Sequence, residues 1–275
     1  MRIRTTAFMT GIVLWTACRL LGQSLPAQTW TLSQGATVKD NGPRTYQFTV
    51  EYDSTNAKGE MLLRQRLTGE YTRGLGGGEV TWKNVTQADA AGATAPFAAP
   101  QKRDFIEGFR YHNDPLSTMK PEFFKGFPPT AVFERNLVWD TGMIEEFGQN
   151  FFEHLNLNQP YHVISNQVVS MPDVGTFRNR DVVLEWIGRS RRNGQDCALI
   201  QYQAFLNPLE IANGGMTLQG RSSYWGQIWV SLATKQIEYS TINESVVGEL
   251  KLAGQDTTQI INVLRSGVLE PVSTK

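Results

Sequence analysis

The 275-residue sequence has two cysteines, three histidines and no excess of charge, and each shortage closes off a class of protein. With 26 basic and 26 acidic residues the chain carries no basic face for nucleic acid and no polybasic cluster for an anionic lipid surface. His112, His154 and His162 stand far apart, with no HxxxH or CxxC spacing, so no metal site is expected. No GxSxG elbow is present, and the glycine run Gly74–Gly78 lacks the Lys-Ser/Thr that completes a phosphate-binding loop. Nothing in the sequence calls for a cofactor. Long apolar runs are also missing: the longest, from Ala7 to Cys18, falls short of the roughly 20 residues a spanning helix needs.

That short run has a context. Arg2 and Arg4 precede it, Arg19 follows it, and Leu25-Pro26-Ala27 offers a small residue before Gln28. A positive start, an apolar stretch of about 7–15 residues and a small-residue cleavage point make up a secretory signal. Residues 1–27 are therefore read as a cleaved signal peptide, and the mature chain as periplasmic or extracellular. Cys18 opens a second end state. It follows Thr16 and Ala17, and small residues before a cysteine at the end of the apolar run resemble the lipobox of bacterial lipoproteins, in which the cysteine is lipidated. Trp15 departs from the aliphatic residue usual in that pattern. Cleavage after Ala27 leaves 23 basic against 26 acidic residues and Cys197 alone, so the mature chain has no internal disulfide and must be held by packing. Membrane contact is expected only through the signal segment or a lipidated Cys18.

The strongest pattern in the remaining chain is two-residue alternation, the mark of strands with one buried face. Tyr46, Phe48, Val50 and Tyr52 alternate with polar residues, as do Met61, Leu63, Leu67 and Tyr71. Val182, Leu184 and Trp186 lead into Asn193-Gly194, a hairpin pair because both residues tolerate positive φ. Ala198, Ile200, Tyr202, Ala204 and Leu206 form the returning strand, and Met216 to Leu232 keeps one apolar face for about 17 residues. Strands that long must twist and coil. The fold class expected is mainly β: a long-stranded, curved antiparallel sheet, half-barrel or barrel-like, with one or two helices from a central insertion. Residues 28–275 are read as a single β-rich domain, with 88–160 a loop and helical insertion between two β halves. In layout alone, such a sheet with helices across its open face looks like the half-barrel lipid and lipoprotein carriers of bacterial envelopes.

The insertion holds ten of the fourteen phenylalanines between Phe97 and Phe152. Asp140 reads as the N-cap of a helix carrying Met143, Phe147, Phe151 and Leu155 at four-residue spacing, and a shorter helix is expected near Ser117 or Pro121. Phe105, Phe109, Phe123, Phe124, Phe127, Phe147 and Phe151 are the candidate ligand-binding residues, since apolar walls with a few polar groups are what small-molecule and lipid sites are made of. The competing reading is that these rings simply pack into the concave sheet. Asp104, Glu107, Asp114, Asp140, Glu145, Glu146 and Glu153 lie among the aromatics, and paired carboxylates in an aromatic cleft would suit a hydrolase. The plainer account is a solvated helix face. The expected function is non-enzymatic binding of a lipid, another apolar ligand or an envelope protein partner. The alternatives are an envelope hydrolase using those carboxylates, and a structural or assembly subunit with a large exposed apolar patch.

Overall fold

The computed structural model describes residues 42–171, 174–213 and 215–272. The expected signal peptide, Cys18 and the expected cleavage point after Ala27 lie outside the described residues. Among the described residues eleven strands form one sheet: β1 (Arg44–Asn56), β2 (Met61–Leu75), β3 (Glu79–Ala90), β4 (Gln101–Lys102), β5 (Arg110–His112), β6 (Pro160–Met171), β7 (Gly175–Arg192), β8 (Gln195–Asn213), β9 (Met216–Ser231), β10 (Ile237–Leu252) and β11 (Thr258–Pro271). The order is β4-β3-β2-β1-β11-β10-β9-β8-β7-β6, with β5 on β3, and the path does not close. Two meanders are thus joined by one long-range antiparallel pair, β1 with β11, in which Tyr46 faces Pro271 and Asn56 faces Ile261.

The alternation read from the sequence becomes an inner and an outer face. Phe48, Val50, Leu67, Leu184, Ile200, Tyr202, Ile228 and Ile242 are buried on the inner side, joined by Trp82 and Trp186. β7 and β8, at 18 and 19 residues, are far longer than the usual 5–6, and such strands curve the sheet. Gly226 shows how tightly it bends. A Cβ there would lie 2.1 Å from the carbonyl oxygen of Thr241 and 2.5 Å from the Tyr202 hydroxyl, which donates to that same carbonyl. At the β7–β8 hairpin, Asn193 and Gly194 both adopt positive φ, as their turn chemistry requires.

The connection between β3 and β6 fills the concave side. A helix over Val132–Glu145 runs on through a π-helical turn, Glu146–Asn150, and packs so closely that a Cβ on Gly148 would touch Ile228 and Val230 at 3.1 and 3.3 Å. This plug helix starts eight residues before Asp140. Its N-cap is Ala131, and Asp140 lies buried in mid-helix, so the capping role expected of Asp140 is wrong. Phe151 and Leu155 fall beyond the helix end, around a 3-10 turn at Phe152–His154. Earlier in the insertion come a short helical turn, Pro115–Thr118, and a 3-10 turn, Pro121–Phe124.

Leu206 is a second correction. The strand register between β8 and β9 shifts between Ala204 and Asn207, so two residues, Phe205 and Leu206, occupy the interval. Asn207 takes the inner position that simple alternation assigns to Leu206, and Leu206 is half exposed.

Candidate functional site

On the inner face, rows of residues across the strands change character from the end where the helix packs to the far, distal end. The first rows are apolar and covered. Phe48, Leu269, Ile228, Ile200 and Trp186 lie beneath the plug helix and the segment that follows it. Then comes a polar belt: Tyr52 pairs across to Arg265, Arg265 to Glu244, and Glu244 to Tyr224.

The belt is tied to the helix. Arg265 Nη1 donates to both Asp140 oxygens at 3.1 and 2.8 Å, and its Nε lies 2.9 Å from Glu244 Oε2. Ser222 bonds Glu244, Tyr224 donates to Asn179 at 2.9 Å, and Asn136 donates to the Tyr52 hydroxyl at 3.3 Å. Two carboxylates share one guanidinium here. Burial pushes the Asp140 carboxyl up to about 6, Arg265 opposes that shift, and the second carboxylate, Glu244, adds to it. Tyr52 is pushed up to about 12, again chiefly by burial.

Beyond the belt the inner face turns apolar again. Leu209, Leu218 and Val246 are buried in a second, smaller core, and Met171, Phe177, Ile211, Leu250, Ile261 and Val263 surround it only partly buried. Phe177 and Val263 pack against both cores, and Asn213 donates to the Pro129 carbonyl of the insertion at 2.7 Å. At the strand tips an open depression of about 570 Å³ is lined by Asn213, Met216, Thr217, Lys251 and Leu252 among others. That volume lies in the range of small-molecule sites.

The seven phenylalanines picked from the sequence lie elsewhere. Phe105, Phe109, Phe123, Phe124 and Phe127 form one ring cluster with centroids 4.8–6.3 Å apart, several pairs edge to face, and Phe124 meets Trp139 at 5.3 Å. Phe147 packs on Tyr202 at 5.4 Å, and Phe151 on Tyr161 at 6.0 Å. Phe124, Phe127 and Phe147 are buried, and the other four pack partly buried against the same core. None of the seven lines the depression at the strand tips.

Of the acids of the insertion, Glu134, Asp140 and Glu145 are buried and paired, while Asp104, Glu107 and Glu153 are exposed. Glu145 meets Arg73 at 2.6 Å, the Tyr71 hydroxyl at 2.8 Å and Asn113 at 2.7 Å. Glu134 meets Arg103 at 3.0 Å, and Glu153 meets Lys235 at 3.2 Å. His162 is exposed beside Asp181, and His154 stacks on Tyr161. No group of three or more His, Cys, Asp or Glu side chains suited to a metal occurs among the described residues. Cys197 is buried and free, its thiol pushed up to about 11 chiefly by burial. At the β7–β8 tip, Arg189 pairs with Asp196 and Arg192 lies 3.8 Å over the Tyr239 ring.

No family model matches the chain, and no curated protein matches it. Among solved structures it is similar to a lipovitellin structure described as concerned with lipid–protein interactions. That protein is 14% identical to it, with a TM-score of 0.37 over 85% of this chain. The chain spans 26% of that protein's length. A likeness at that level carries nothing about function.

Proposed function

We propose that this is an exported, non-enzymatic binding protein that holds an apolar ligand against the distal half of its inner sheet face. The observation that carries the reading is the division of that face. The Phe-rich insertion covers the first zone with packed rings. Beyond the Arg265 belt, six partly buried apolar side chains still surround Leu209, Leu218 and Val246. An apolar wall left partly open beside a depression with a few polar groups is the usual make-up of a lipid site.

Export rests on Arg2, Arg4, the apolar run to Cys18 and the small residue at Ala27. Cleavage after Ala27, lipidation at Cys18 and retention of the segment are the three end states, and the intact mass of the protein recovered from cells tells them apart.

The ligand reading is tested on protein purified from cells that produce the full chain. Organic extraction and mass spectrometry should recover an amphiphile with a long hydrocarbon chain, near stoichiometric with protein. A Leu218→Gln variant that folds should carry less. Protein free of any such molecule, with no thermal shift on adding oleate, would contradict the reading.

A further inference from the structure

The outer face of the same strands carries an apolar strip that the ligand reading does not use. At the β8 bulge Phe205 and Leu206 point to solvent side by side, 49% and 50% exposed. Leu206 holds φ at +57°, a left-handed conformation that a leucine rarely adopts, and its N–H is fixed at 3.0 Å to the Ser223 hydroxyl. On β9, Trp225 and Arg221 stand two residues to either side of Ser223 on that outer face, both exposed. Val247 faces Arg221 across β10, and a shallow depression of about 550 Å³ runs from Leu206 past Arg221 and Val247 to Ile260.

Two cations, Arg180 and Arg221, flank this protrusion, and acids stand close by: Asp181 pairs with His162 at 2.9 Å, and Glu249 lines the same depression as Arg221. Arg180 on β7 donates its backbone N–H to Asn207 at 3.0 Å, next to Leu206, and its side chain is exposed. Neither Arg180 nor Arg221 forms an ion pair among the described residues. The acids of this face, Glu210 and Glu249, stand a row further toward the strand tips, both registered on Gln219. Adjacent apolar side chains that project from a rigid sheet, a tryptophan beside them and unpaired arginines at their edge match a lipid–water interface with anionic headgroups. The apolar groups enter the acyl boundary and the guanidinium groups meet phosphate.

We propose that the strip centred on Phe205, Leu206 and Trp225, edged by Arg180 and Arg221, docks the protein on an anionic bilayer surface. It is a contact separate from the N-terminal segment and from the inner-face ligand site. Strain at Leu206 is held for display: the bulge presents two adjacent apolar residues where regular alternation would present one.

The test uses protein from cells that produce the full chain, mixed with vesicles of phosphatidylcholine with or without phosphatidylglycerol. Amide hydrogen exchange reads the contact locally, independent of what the N-terminus does. Phosphatidylglycerol vesicles should slow exchange at residues 204–207 and 221–225, and pure phosphatidylcholine or high salt should reduce the slowing. The pairs Phe205→Ser/Leu206→Ser and Arg180→Glu/Arg221→Glu should each lower vesicle affinity at least tenfold without changing the thermal midpoint. Vesicle flotation with no slowing at these residues would overturn the proposal, as would charge-reversed protein that floats as well as the parent. Slowing that follows protein concentration without vesicles would assign the strip to a second copy of the chain and overturn it equally. A lipid extracted from the inner face would leave the ligand reading standing in any of these cases.

Discussion

Arg265 of β11 and Asp140 of the plug helix meet at 2.8 Å with both side chains almost wholly buried, and this pair fixes the helix over the sheet at the border of the two apolar zones. Glu244 completes the set from β10. A cation between two acids is held by geometry that tolerates the loss of no partner, since a lone buried charge has no water to repair it.

Replacing Arg265 by Met should therefore be severe. It strands Asp140 and Glu244, and breaking a buried pair in this way costs about 3–5 kcal/mol. Urea unfolding of Arg265→Met against the parent checks this; a loss under about 1 kcal/mol would mean that water reaches the belt.

Asp140 gives the fold a dependence on pH with a definite sign. Its carboxyl titrates near 6 in the folded chain, above its ordinary 3.8, so the folded state holds the proton more tightly than the unfolded one. Asp140's contribution is full below about pH 4 and is lost as pH rises to about 6, a change on the order of 2–3 kcal/mol. Asp140→Asn, always neutral, should lack this loss. The stability of the parent relative to Asp140→Asn should fall between pH 4 and 6.5 and stay level above, as urea midpoints across that range would show.

Gly226 should be irreplaceable within this sheet. Alanine there meets backbone oxygen on β10 and the Tyr202 ring at distances no Cβ can hold. Overpacking of this kind costs about 1–3 kcal/mol or more. Thermal unfolding of Gly226→Ala measures it, and Tyr202→Phe with Gly226→Ala should recover little because the Thr241 carbonyl remains in the way.

Leu206→Gly should act in the opposite direction. Glycine adopts φ near +57° without the Cβ penalty, so the variant should gain roughly 1 kcal/mol of stability. It should at the same time weaken vesicle binding. A variant that is less stable would show that the Leu206 side chain is packed, against its half exposure.

Much of this architecture was legible because burial on one face forces a period of two. Tyr46 to Tyr52, Ala198 to Ala204 and Met216 to Leu232 announced their strands, and Asn193-Gly194 announced a turn. β6 was not legible: Tyr161, Val163 and Met171 pack against the cores from this edge strand, but the polar run Ser165-Asn166-Gln167 breaks the alternation between them. The β1–β11 pairing joins residues more than 200 positions apart, and no local pattern records it. Asp140 looked like a cap because an acid before an apolar stripe usually is one; its partner, Arg265, lies on the last strand. Phe205 and Leu206 hid in an alternating run because a bulge leaves no mark in hydrophobicity alone. The phenylalanine count drew notice to the insertion, yet rings that numerous can satisfy one another, and they do so here by edge-to-face packing.

The binding account is tested most directly by a photoactivatable fatty acid, crosslinked to the protein and mapped by peptide mass spectrometry. Adducts should fall on the distal inner face, at Ile211, Leu218, Leu250, Ile261 and Val263, and an excess of oleate should remove them. Adducts confined to Phe105–Phe127, or none that oleate competes for, would contradict the account.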